Sequence, residues 1–243
     1  MKESISIEAI NLRTKKVNGF KILTVFSKEY GLIKLSGSKL GGRSEPFVHN
    51  RYWINFGSND IHSIKQTEFI DHFRNLSTDL DKLYLAWQFA EFIEACSHFH
   101  EERSEQIFDL LFECLDQLER NNDVNNVELV NYFLWKLTEF LGYKPNLSMC
   151  ERTKCSLLEG ELVDSWFSFQ QGGVSCSACS NKPTSDFVTI LPGIYKQLNY
   201  LSSIDEFQSQ ESISDNALNF VRTLLQRYLQ THTDRKIKSI NGI

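Results

Sequence analysis

The chain has 243 residues, 41% hydrophobic and 23% charged, with 18 Phe and only 4 Pro. That balance excludes general disorder and fits one large or two small globular domains. Net charge is −5, but residues 1–78 hold 12 Lys and Arg against 7 Asp and Glu (+5), and the remainder holds 14 against 24 (−10). The asymmetry favours a polyanionic partner for the first part.

The opening MKESISIEAINLRTKK lacks the unbroken apolar run of a signal-peptide core, and no segment reaches the ~18 apolar residues of a membrane span. The expectation is a cytoplasmic protein with no membrane contact.

Residues 1–78 read as about five short strands. Ile5, Ile7 and Ala9 alternate; VNG at 17–19 is a turn before FKILTVF; Glu29-Tyr30-Gly31 precedes LIKL; SGSKLGGRSEP is a polar, Gly-rich loop. In FVHNRYWINF, one parity carries Val48, Tyr52, Ile54 and Phe56, and the other Phe47, His49, Arg51 and Trp53. IHSIKQTEFI completes the set, and five strands followed by helix predict a small closed barrel of the oligonucleotide-binding kind.

From residue 79 the period changes to about 3.6. Ser77, Thr78 or Asp79 can cap DKLYLAWQFAEFIEACSHF, whose apolar residues on most sides predict a central helix. Ile107, Leu110, Leu111, Cys114, Leu115 and Leu118 form a second helical stripe, and Val130, Phe133, Leu134, Leu137 and Leu141 a third, stopped by Gly142 and Pro145. DFVTILPGIYKQLNYL reads as a loop and short helix with Pro192 near the helix start. A last helix carries Ala217, Phe220, Val221, Leu224, Leu225 and Tyr228 before the basic tail DRKIKSINGI. The fold class is therefore β then α: a barrel domain over 1–78, and a helical domain over 79–243 that contains a cysteine-bearing insertion at 148–181.

That insertion holds four of the six cysteines, as Cys150-x4-Cys155 and Cys176-x2-Cys179 separated by twenty residues. Two close pairs can present four thiolates to one zinc ion at about 2.3 Å, and four protein ligands leave no open position, so the ion would be structural. Gly172 and Gly173 provide a tight turn to fold the second pair back. Two disulfides are the competing arrangement, disfavoured by the absence of a secretion signal. Cys96 and Cys114 read as core residues; His98 and His100 lie far in sequence from other ligand types. No Ser/His/Asp set, phosphate-binding Gly loop or dinucleotide fingerprint occurs, so no enzyme is expected.

Lys15, Lys16, Lys21, Lys34, Lys39, Arg43 and Arg51 fall in or beside the barrel strands and loops, and Tyr52 and Trp53 supply aromatic surface next to Arg51. Small barrels bind single strands by tracking phosphates with a basic groove and stacking bases on aromatics. Arg235, Lys236 and Lys238 in the tail form a second basic group.

Taken in order, the segments at 9–47 (AINLRTKKVNGFKILTVFSKEYGLIKLSGSKLGGRSEPF), 141–150 (LGYKPNLSMC), 167–179 (FSFQQGGVSCSAC) and 235–239 (RKIKS) resemble the RecO family of bacterial recombinational-repair proteins. The resemblance implies an N-terminal oligonucleotide-binding barrel, a helical domain and a zinc-ribbon-like insertion. It also implies single- and double-stranded DNA binding and strand annealing in the nucleoid. As partners it implies RecR, sometimes RecF, and the acidic, apolar C-terminal tail of single-strand-binding protein, with RecA loaded on strands which that protein coats. This chain departs from the family pattern in the four-residue spacing of its first cysteine pair and in a loop after Leu35 with few cations. The alternative is a zinc-stabilised adaptor between proteins, without direct DNA contact.

Overall fold

The computed structural model describes residues 4–38, 40–57, 60–96, 101–120, 125–151, 154, 156–157, 165–176, 186–210, 213–233 and 236–237. They form two compact units, Met1–Asn122 and Asp123–Ile243. The period change sets a boundary after residue 78; the compact units group the first two helices with the barrel.

In the first unit, β1 (Ile5–Val17), β2 (Phe20–Ser27), β3 (Gly31–Gly37), β4 (Val48–Asn55) and β5 (Ile61–His72) close a barrel in the order β1-β2-β3-β5-β4. All neighbours are antiparallel except β3 and β5, which pair in parallel over only three residues each, Lys34–Ser36 with Ile61–Ser63. The interior is filled by alternate residues: Ile7 and Ala9, Leu23 and Val25, Leu35, Tyr52 and Ile54. The opposite face is not all open. Phe47 meets Trp87, and His49 lies between Phe108 and Phe112, because α1 (Leu80–Ala95) and α2 (Ser104–Arg120) cover that side. Val48, His49 and Asn50 are therefore buried in succession, which period-two alternation alone does not predict.

Of the three candidate caps, Asp79 closes α1, accepting from the backbone N–H of Asp81 and Lys82. α1 is buried over most of its surface but exposes Leu80 and Tyr84.

The second unit is built on α3 (Asn126–Phe140), which is buried on every side from Glu128 to Thr138. Asn125 caps its start, and Gly142, at φ +81°, follows its end. α4 (Pro192–Ser203) and α5 (Asp215–Thr231) pack on it, with Pro192 at the first turn of α4 and Ser214 capping α5. Between α3 and α4 lies a small antiparallel sheet, β7-β6-β8, of β6 (Ser165–Ser168), β7 (Gly173–Ser175) and β8 (Phe187–Ile190). The segment Phe187–Ile190, read as loop, is thus a strand; four residues are too few for alternation to register. Gly172 turns β6 into β7 at φ +64°, and a Cβ there would stand 2.1 Å from the Tyr228 hydroxyl oxygen, so only glycine fits. Among the described residues no helix is long and apolar enough to cross a membrane.

Candidate nucleic-acid interface and metal centre

The β1–β2 hairpin closes through Asn18 and Gly19, at φ +47° and +82°, the left-handed pair that a two-residue turn requires. The register sets Lys16 opposite Lys21 and Lys15 opposite Ile22. Beside this hairpin lies a 3-10 turn at Gly41–Ser44. Thr14 Oγ1 donates to the Ser44 carbonyl; Lys21 Nζ donates to Ser44 Oγ and, at 3.2 Å, to the Gly41 carbonyl. From beneath, Asn11 and Asn50 donate to the Arg43 carbonyl at 2.8 and 3.0 Å, and the Tyr52 hydroxyl donates to Asn11 Oδ1 at 2.6 Å. Three fully buried polar side chains thereby hold the Arg43 backbone, while its own side chain is exposed.

The loop after β3 and the β1–β2 hairpin accordingly share one end of the barrel, which gathers Lys15, Lys16, Lys21 and Arg43. Lys34 is exposed on the adjacent β3, opposite Thr24. None of these five cations forms an ion pair with a described carboxylate, whereas Arg13 is held by Glu94 at 2.6 Å and Lys28 by Asp109 at 3.1 Å. β2, β3 and β4 contain no Asp or Glu, and β1 contains only Glu8, 2.9 Å from His49 and 3.8 Å from Arg51. Electrostatically this end is predominantly positive, with Glu45, exposed just after the 3-10 turn, as its neighbouring carboxylate.

Arg51 and Trp53 stand elsewhere. Both lie on β4, and Arg51 is neutralised by Glu68 at 3.2 Å as well as by Glu8. Glu8, opposite Arg51, precedes Lys15 by seven residues on β1, roughly 20 Å of strand. Tyr52, taken with them as aromatic surface, is fully buried in the barrel core and cannot reach a base; burial pushes its pKa up. Trp53 is half-buried on the outer face of β4. Lys236 is exposed in the second unit. Lys39, Arg235 and Lys238 lie outside the described residues.

Sequence reasoning missed Phe20, which reads as one member of the apolar run FKILTVF. It sits at the hairpin tip and is 56% exposed.

In the second unit, Cys150 is fully buried and Cys176 is half-buried. The segment around Cys150 folds back on itself: Met149 pairs with Ser156, Lys154 N–H donates to the Cys150 carbonyl at 2.8 Å, and Leu157 N–H to Ser148 at 3.0 Å. Glu151 N–H then donates to the Val174 carbonyl at 3.0 Å, tying this turn to β7, two residues before Cys176. The turn that carries Cys150 is thus tied to β7, the strand that Cys176 follows. Cys155, Cys179, His98 and His100 lie outside the described residues, and among the described residues no cluster of three metal-ligating side chains occurs. Cys96 and Cys114 are buried in the first unit, where desolvation pushes the Cys96 thiol up to about 12 and Cys114 well above its ordinary value. Such thiols are poor ligands.

An open cleft of about 690 Å³ separates α4 from the start of α5. Lys196, Tyr200, Ile213 and Ala217 are among its lining residues, and none of the described lining residues is acidic.

Residues 77–240 match the family model described as "Recombination protein O C terminal". The chain is 30% identical over 238 residues to a protein of Synechococcus sp. (strain JA-2-3B'a(2-13)) named DNA repair protein RecO, covering 90% of this chain and 81% of that one. Proteins of the same name from Pelotomaculum thermopropionicum and Caldicellulosiruptor saccharolyticus are 29% and 26% identical, over 96% and 97% of this chain and 90% and 96% of theirs.

Proposed function

The chain belongs to the RecO family, and from that premise we propose that it is a DNA-binding mediator of recombinational repair. It binds DNA at the hairpin end of the barrel and anneals complementary single strands. It helps load RecA on strands coated by single-strand-binding protein, acting with RecR and sometimes RecF. The observation that carries this reading is the group of Lys15, Lys16, Lys21, Lys34 and Arg43, unpaired with any described carboxylate, on strands almost devoid of acidic residues.

No covalent step is required of the protein. Cations that neutralise phosphates on two strands lower the repulsion between them, and counterion release supplies the free energy. Complementary bases then pair without catalytic groups.

The acidic tail of single-strand-binding protein suits the α4–α5 cleft, where Lys196 favours carboxylates while Ile213 and Ala217 offer apolar surface. The buried, twice-tethered turn at Cys150 fits one structural zinc held by Cys150, Cys155, Cys176 and Cys179; bound there, the ion cross-links that turn to the chain leaving β7.

A fluorescence annealing assay with purified protein and complementary oligonucleotides tests the reading. It predicts pairing well above the spontaneous rate, suppressed by salt; annealing at the spontaneous rate would overturn it.

A further inference from the structure

Phe20 is the most exposed aromatic side chain among the described residues, at 56%, ahead of Tyr84 at 52% and Phe69 at 47%. Its place is fixed by regular structure. It is the first residue of β2, pairs with Val17, and directly follows the Asn18–Gly19 turn. Leu23 and Val25 point into the barrel, so Phe20, Ile22 and Thr24 face outward. Register adds three cations to that face: Arg13 opposite Thr24 and Lys15 opposite Ile22 on β1, and Lys34 opposite Thr24 on β3. Arg13 is taken up by Glu94 at 2.6 Å, whereas Lys15 and Lys34 are paired with no described carboxylate. The remaining positions there, Ile22, Thr24 and Ser36, are half-buried and uncharged, and β2 and β3 themselves place no acidic residue among them. Lys16 and Lys21 take the other face of the hairpin, toward the 3-10 turn.

We infer that Phe20 is a stacking platform for an unpaired nucleobase, and that it makes this surface select single-stranded over double-stranded DNA. The inference rests on the DNA-binding reading above and names the ligand group that reading leaves open. A phenyl ring offers no hydrogen bond to phosphate, so lysines alone give no reason for it to stand in water among them. A base plane covers the ring, while Lys15 and Lys34 lie on the same face for the flanking phosphates. Stacking of this kind is tolerant of sequence, because every base has a π face. In a duplex the base faces are already stacked on one another, so Phe20 has nothing to cover and only the phosphate contacts persist.

Binding of a labelled oligothymidine and of a labelled duplex, each at several salt concentrations, tests this on the full chain with Phe20→Ala and Phe20→Trp. Phe20→Ala is expected to weaken single-strand binding by about 5- to 100-fold. Its salt slope and its duplex affinity stay as in the unsubstituted protein, and Phe20→Trp retains single-strand affinity. An exposed position makes folding of both variants a safe premise, checked by their thermal unfolding. Equal single-strand affinity in Phe20→Ala, or equal losses for strand and duplex, overturns the stacking role and leaves the phosphate surface standing. Absence of any binding by the unsubstituted protein overturns that surface and the stacking role together.

Discussion

Lys16 stands directly opposite Lys21 across the β1–β2 hairpin. Like charges at paired positions destabilise a sheet, by up to about 1 kcal/mol in the unfavourable direction. A fold retains such a pair without loss when an anion bridges it, which is what a DNA phosphate supplies.

Lys16→Glu is therefore expected to separate stability from binding. The new Glu faces Lys21 and stabilises the hairpin by about 0.2–1 kcal/mol, while single-strand affinity falls. Thermal unfolding and strand titration on one preparation check both signs; a variant that is less stable and binds normally contradicts the account.

The α4–α5 cleft predicts that a peptide with an acidic, apolar C-terminus binds the protein and that Lys196→Glu weakens it by tenfold or more. Fluorescence anisotropy of the labelled peptide reads this. Unchanged affinity places the tail elsewhere.

For the metal, elemental analysis of protein purified under metal-replete conditions is expected to give about one zinc per chain, and less than ~0.2 would contradict the site. Cys150→Ser loses the ion and lowers the unfolding temperature. Cys96→Ala with Cys114→Ala keeps it, since both thiols are buried in the first unit, where desolvation holds them protonated.

His49 contributes a pH dependence. Burial between Phe108 and Phe112 holds its pKa below the ordinary 6.5, outweighing the Glu8 carboxylate 2.9 Å away; Asp71 and Arg51 add smaller, opposing effects. The unfolded chain therefore takes up this proton at higher pH than the folded one. The stabilisation from neutral His49 is complete above about pH 6.5 and is lost as pH falls below it. Urea midpoints of the parent and of His49→Gln are expected to converge between about pH 7.5 and 5.5, with the parent the more stable at the upper end. A constant difference across that range would show that His49 does not titrate as placed.

The barrel was legible because its signals are local: alternation at Ile5, Ile7 and Ala9, and the VNG turn. Sequence parity separated Tyr52 from Trp53 but not inside from outside; that is decided by the pairing of Tyr52 with Ile7 in the core. Arg51 looked like a DNA contact since its neutralising partners, Glu8 and Glu68, lie 43 and 17 positions away. Phe20 was hidden for the opposite reason: an apolar residue in an apolar strand reads as core, and only the position of the strand end exposes it. The cysteine segment was read from spacing, whereas β8 escaped because its four residues acquire strand character by pairing with β6.

The most direct test of DNA binding at the hairpin end is the salt dependence of single-strand affinity, compared between the parent and a variant with Lys15, Lys16, Lys34 and Arg43 all replaced by Ala. Each phosphate contact contributes about 0.7 to the slope of log affinity against log salt for single strands. The account predicts a weaker-binding, normally folded variant whose slope is shallower by about 3. A folded variant with the parent's slope would contradict it and move the DNA surface off the barrel, to the basic tail that contains Arg235, Lys236 and Lys238.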